Sequence, residues 1–169
     1  MWFTYGILKR DPRIWSCNAC SVLLGLYYST AYASRSPSSS STLPGTLRGH
    51  FRTVAAAILL ALGTATLLPP SRSLPVLGGA GVTICVGLFA SPLAAMGAVI
   101  RSRSARSIPL PFALASVANC TAWLVVGWWG MADVNVWLPN GLGLAFGLVQ
   151  VGLRLRYGDG RDGTAKQAA

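Results

Sequence analysis

The stretch WLVVGWWGMADVNVWLPNGLGLAFG, residues 123–147, restates an earlier one, WFTYGILKRDPRIWSCNACSVLLG, residues 2–25. Trp2, Gly6, Asp11, Asn18 and Gly25 return as Trp123, Gly127, Asp133, Asn140 and Gly147, with an offset of 121 for the first two and 122 for the other three. An offset that steady, with one residue inserted in a loop, marks two copies of one structural unit.

The two copies are embedded in apolar sequence. Of the 169 residues 53% are apolar and only 11% charged, and the mean hydropathy is +0.52, too apolar for an ordinary soluble domain. A bilayer core about 30 Å thick takes about 20 apolar helical residues. Windows of that kind fall at 14–33, 51–68, 74–100, 109–131 and 134–155, so an all-α, polytopic membrane bundle with five full spans is expected. Spans 14–33 and 134–155 have three spans between them and enter the membrane in the same sense, a parallel repeat. Residues 1–8 are apolar too, but at 1.5 Å rise they cover only about 12 Å, half a helix. They lack the basic start and small-residue cleavage site of a signal peptide. The simplest account is a natural chain that continues upstream. Residues 34–42, rich in Ser, read as a flexible loop, and the Gly- and Asp-containing tail after Tyr157 as disordered.

Fourteen Lys and Arg against four acidic residues give a net charge of +10. The charges cluster between apolar runs, which suits loops facing anionic lipid and not a nucleic-acid groove. With alternating spans, Lys9, Arg10, Arg13 and Arg72 lie on one side and the other ten on the opposite side, which places the C-terminus in the cytoplasm. Cys17, Cys20, Cys85 and Cys120 sit in apolar stretches without His or acidic neighbours at ligand spacing, so neither a disulfide framework nor a metal site is expected. Cys17 and Cys20 form a CxxC, whose redox reading needs wet, positive surroundings; small-residue helix packing is the default.

The run ASPLAAMGAVI at 90–100, then Arg101-Ser-Arg-Ser104, Ile108-Pro109, Trp123 and Leu138-Pro-Asn-Gly141 resemble the second repeat of the SWEET sugar transporters. Residues 2–6, Asp11, Asn18 and 25–28 resemble the end of that family's second helix and its third helix. The resemblance covers residues 1–157 and is weakest over 34–77. It implies two parallel three-helix repeats joined by a linker helix. Residues 1–33 would be the remnant of the first repeat, 34–50 a loop, 51–70 the linker helix, 71–157 the second repeat and 158–169 a cytoplasmic tail.

Asn18 and Asn140 are the leading binding candidates, because an amide inside an apolar helix needs partners and offers a sugar both donor and acceptor. The competing reading is a hydrogen bond to a neighbouring helix. The resemblance implies that this pair lines the sugar site together with Trp123, and Trp2 holds the equivalent place in the first copy. An indole face suits the C–H surface of a pyranose. Trp15, Trp128, Trp129 and Trp137 read as interfacial anchors. Pro92 lies inside a span and makes a kink or hinge, which the resemblance ties to alternating access. Pro109 is either a second hinge proline or an ordinary helix start. Cys17 departs from the Pro139-Asn140 pair of the second copy.

No ionisable residue lies deep in any span, which favours passive movement of a neutral solute over proton coupling. There is no phosphate-binding loop, nucleophile elbow or paired carboxylate, so no enzyme, cofactor or metal is expected. The reading is a facilitative uniporter of mono- or disaccharides in the plasma membrane, with the Golgi or another endomembrane as the alternative setting. Its expected partners are membrane lipid and copies of itself or related transporters. Two rivals stand beside it: a non-transporting membrane fragment acting through assembly, and a PQ-loop carrier of another small solute.

Overall fold

The computed structural model describes residues 1–35 and 47–158, and every regular element among them is helical. These are α1 (Trp2–Leu8), α2 (Pro12–Arg35), α3 (Leu47–Leu67), α4 (Pro70–Leu88), α5 (Ala90–Ser102), α6 (Leu110–Val125), a π turn (Val126–Gly130) and α7 (Val134–Tyr157). Most of the Ser-rich stretch and the tail from residue 159 lie outside the described residues. The helix expected from residue 51 starts at Leu47.

Four helical stretches are long and apolar enough to cross a membrane: Leu47–Leu67, Pro70–Ser102, Leu110–Gly130 and Val134–Tyr157. In lipid every backbone polar group must be satisfied within its own segment, and helices do this. α2 has the length for a fifth span, 24 residues. It is less apolar than the others because Ser16, Asn18, Ser21, Ser29 and Thr30 interrupt its hydrocarbon surface. Large side chains point outward in these helices, for example Leu23, Leu59, Leu88 and Phe112, as expected where the surrounding solvent is hydrocarbon. The chain is an integral membrane protein.

The chain falls into two compact units, Met1–Gly81 and Val82–Ala169. In the first, α1 folds back on α2 and touches α3. Tyr5, Ile14, Ala61 and Leu77 form its buried apolar positions. The buried Ser73 hydroxyl donates to the carbonyls of Leu68 and Pro69, which secures the entry to α4.

In the second unit α6 and α7 pack closely along their length, and α5 joins them against α7. The close approach depends on glycine. A Cβ at Gly147 would stand 2.8 Å from Val117 Cγ2, and one at Gly143 would stand 2.8 Å from Cys120 Sγ. Phe89 covers Gly143 and meets Phe146 with ring centroids 5.0 Å apart. Beyond them Val99, Ala105, Ile108 and Ala113 form a buried cluster, with Val151, Leu153 and Tyr157 packed against it.

The long span 70–102 is interrupted at Phe89, between α4 and α5. Pro92 is the third residue of α5 and has no N–H to give to the carbonyl four residues back, that of Leu88, the last residue of α4. The ring also crowds that carbonyl, so the ladder breaks one turn before the proline. Pro109 stands at the N-cap of α6 with extended backbone, φ −72° and ψ 110°. Its place is therefore just outside the helix.

Candidate functional site

Each unit contains the same helix–turn–helix junction, built from the repeated residues. In the first, Asp11 N donates to Gly6 O at 3.0 Å, and Ile14 N and Trp15 N both donate to Asp11 O at 3.2 Å. In the second, Asp133 N donates to Gly127 O at 3.0 Å, and Val136 N and Trp137 N donate to Asp133 O at 3.0 Å. The residue before each aspartate is left-handed, Arg10 at φ 55° and Ala132 at φ 49°. Each aspartate is buried and accepts a backbone N–H two residues on, from Arg13 or from Asn135, at 3.0 Å. Both act as helix N-caps.

The glycines explain why the turn is so tight. A Cβ at Gly6 would lie 2.6 Å from Trp15 N, and one at Gly127 would lie 2.9 Å from Trp137 N. Helix start and helix end meet backbone to backbone at these points. The expected loop insertion that shifts the offset from 121 to 122 falls between Gly127 and Asp133, where α6 widens into the π turn Val126–Gly130. A single inserted residue is commonly taken up as a π bulge, which keeps the flanking residues in register.

Beyond each junction the helix presents its amide. Asn18 Nδ2 donates to Ile14 O at 2.9 Å, and Asn140 Nδ2 donates to Val136 O at 2.7 Å. Both asparagines are half-buried, and neither side chain makes another hydrogen bond among the described residues. The back-bond fixes each amide along its helix. It leaves one N–H and the carbonyl oxygen for an outside partner.

The tryptophans differ. Trp123 is half-buried on α6, one turn after Asn119, an amide exposed on the same helix face. The sequence reading passed over Asn119, although the argument that singled out Asn18 and Asn140 applies to it: an amide within an apolar span. Trp2 stacks edge-on with Tyr5 at 5.5 Å, and a Cβ at Gly81 would stand 2.9 Å from its six-membered ring. Its indole is therefore engaged in packing against α4. Trp128 is exposed and meets Trp137 at 4.7 Å beside the π turn.

The α1–α2 junction carries a two-point ion pair. Arg13 reaches both carboxylate oxygens of Asp11, Nε to Oδ1 at 3.0 Å and Nη2 to Oδ2 at 2.7 Å. These bonds hold the Asp11 carboxyl below its usual range. Asp133 has Asn135, a neutral residue, at the position that corresponds to Arg13. No cluster of three or more metal-ligating side chains occurs among the described residues.

The second copy of the repeat lies within a region that a protein family shares. A family model described as "Sugar efflux transporter for intercellular exchange" matches residues 75–160, half of the chain. The bidirectional sugar transporter N3 of Medicago truncatula is 26% identical over 168 residues, 99% of this chain and 62% of that protein. The bidirectional sugar transporter SWEET13 of Oryza sativa subsp. japonica is 27% identical over 177 residues, covering 100% of this chain and 59% of its own length. The sugar transporter SWEET1 of Rattus norvegicus is 27% identical over 158 residues, 92% of this chain and 69% of its own. The chain thus spans about six-tenths of the length of the two plant relatives. With four membrane-length helices, a family model over α4 to α7 and relatives aligned along nearly all of it, this chain belongs to the SWEET family of sugar transporters.

Proposed function

We propose that this chain moves mono- or disaccharides across a membrane by facilitated, gradient-driven uniport with alternating access. One observation carries the reading: both repeats hold an amide in mid-helix, back-bonded through Nδ2, with a donor and an acceptor to spare. A hydroxyl-rich, uncharged solute matches such groups, and an indole such as Trp123 supplies an apolar face for the sugar ring. Asn18, Asn140 and Trp123 are the residues assigned to sugar, with Asn119 added one turn from Trp123. Trp2 takes a weaker share, since its ring already packs on Gly81. Pro92, at the break between α4 and α5, supplies the hinge, and Pro109 adds fixed geometry at the start of α6. A cytoplasmic C-terminus fits the distribution of basic residues, and the plasma membrane is the proposed setting.

A second reading is favoured by the repeat itself. Gly147 of α7 is sealed by Val117, whereas Gly25, its counterpart on α2, has nothing within 4 Å of a Cβ. A chain with that face open works only once a further helix covers it, in a homo- or hetero-oligomer with related transporters or within a longer chain.

Uptake of labelled glucose and sucrose into transporter-deficient cells separates the readings. Cells would express the chain alone, or the chain preceded by the N-terminal helices of the SWEET1 relative. Flux from both forms supports autonomous transport, and flux from the fused form alone supports the second reading. In whichever form is active, Asn140→Ala is expected to cut flux at least about tenfold, the value of one good hydrogen bond. Unchanged flux in that variant would remove Asn140 from the site. Flux from neither form would defeat the sugar assignment.

A further inference from the structure

One end of the second unit is held together by a junction remote in sequence. Ala105 N donates to Gly158 O at 3.0 Å, and Arg154 Nη1 donates to Ala105 O at 3.2 Å and to Gly158 O at 3.1 Å. Ala105 is fully buried, and Ile108 and Val99 close the cluster beneath it. The α5–α6 connection and the end of α7 are thereby fixed side by side. Three further arginines flank this junction: Arg103 and Arg106 within two residues of Ala105, and Arg156 two residues before Gly158. All three are exposed. Arg103 caps α5 in the left-handed conformation at φ 51°, and the Arg156 guanidinium lies 5.7 Å from the Tyr157 ring centre, so two of the three are conformationally tied.

No carboxylate belongs to this end of the unit among the described residues, because its one described acid, Asp133, begins α7 at the other end. Asp159 and Asp162 follow in the sequence outside the described residues, where Arg161 and Lys166 match them in number. The helices that meet here, α5, α6 and α7, lie in the stretches long and apolar enough to span a bilayer, so the cluster sits at a membrane surface. Exposed guanidiniums that have no carboxylate beside them among the described residues suit phosphate-bearing headgroups, which they meet through paired N–H donors.

We propose that Arg103, Arg106 and Arg156, organised by the Arg154-locked junction, form a docking surface for anionic lipid headgroups. The surface is independent of which solute the protein moves. Each such residue is worth about fivefold in lipid preference, so losing all three should lower it at least about tenfold once screening by salt is allowed for.

The test uses the full chain reconstituted in phosphatidylcholine bilayers, with spin-labelled phosphatidylserine or phosphatidylcholine as the probe. The ratio of motionally restricted serine lipid to choline lipid is the readout. The native chain is expected to prefer the serine lipid. The Arg103→Gln/Arg106→Gln/Arg156→Gln variant should lose that preference, while the Lys9→Gln/Arg10→Gln/Arg72→Gln variant, which removes equal charge elsewhere, should keep it. Lysine at the same three positions should retain most of it and shows that the fold tolerates substitution there. Equal ratios in the native and Arg→Gln chains overturn the proposal, as does an equal loss in the control variant. Displacement of the lipid by dilute inorganic phosphate would reassign the patch to a soluble anion and overturn it too.

Discussion

Gly127→Ala tests the junction on which both copies of the repeat turn. The added Cβ would lie 2.9 Å from Trp137 N, 3.0 Å from Val136 Cγ1 and 3.1 Å from Trp137 Cα. Two of these three atoms belong to backbone, which a rotamer change does not move. Overpacking of this kind costs about 1–3 kcal/mol. Alanine recovers up to about 1 kcal/mol of helix propensity, which leaves a net loss of up to about 2 kcal/mol when that gain is full. Gly25→Ala is the matched control, because nothing lies within 4 Å of its Cβ and only the propensity gain remains. The two variants should therefore differ by about 2 kcal/mol, or about 6 °C in thermal midpoint for a chain of this size. Thermal unfolding of the purified chain in one detergent, followed by size-exclusion recovery or intrinsic tryptophan fluorescence, reads the difference. Gly127→Ala should also weaken transport, since the junction sets the register of Asn140 on α7 against Trp123 on α6. Equal midpoints for the two variants would refute the claim that this approach is tight.

Three other outcomes are expected. Ala132→Gly should raise stability by up to about 1 kcal/mol in the same thermal assay, because Ala132 is held at φ 49°, a conformation that costs a residue with a Cβ. The depressed Asp11 carboxyl contributes stability that is present above its unfolded value of about 4 and disappears as pH falls through its lower folded value. Melting curves taken from neutral to acid pH should show this loss in the native chain and not in Asp11→Asn, which is less stable at neutral pH throughout. Pro92→Ala restores an N–H within bonding reach of Leu88 O and should straighten the break at Phe89; the maximal uptake rate is expected to fall severalfold while the half-saturating sugar concentration stays nearly constant.

The repeated residues and the apolar windows made most of the architecture legible. Gly6, Asp11 and Asn18 recur in order because each does one job at one junction: the aspartate caps, the glycine admits the next helix, and the asparagine lies two helical turns beyond the cap. The second copy repeats those hydrogen bonds nearly atom for atom. Less was legible where function depends on what a side chain touches. Trp2 and Trp123 look equivalent in sequence, yet Trp2 packs on Gly81, 79 residues away. Asn119 was overlooked because it precedes the repeated stretch, which starts at Trp123, so no matching residue draws attention to it.

The sequence by itself determined the solvent, the helical class and the doubled helix junction, because hydropathy and residue spacing add up along the chain without reference to distant atoms, and the resemblance of its motifs pointed to the family. Tertiary structure alone decided that the extra residue of the second copy is absorbed in a π turn, that the span containing Pro92 breaks at Phe89, and that Arg154 ties Ala105 to Gly158. Those outcomes depend on hydrogen-bond register and van der Waals approach between residues up to 53 positions apart, and a distance of a few ångströms leaves no periodic trace in sequence.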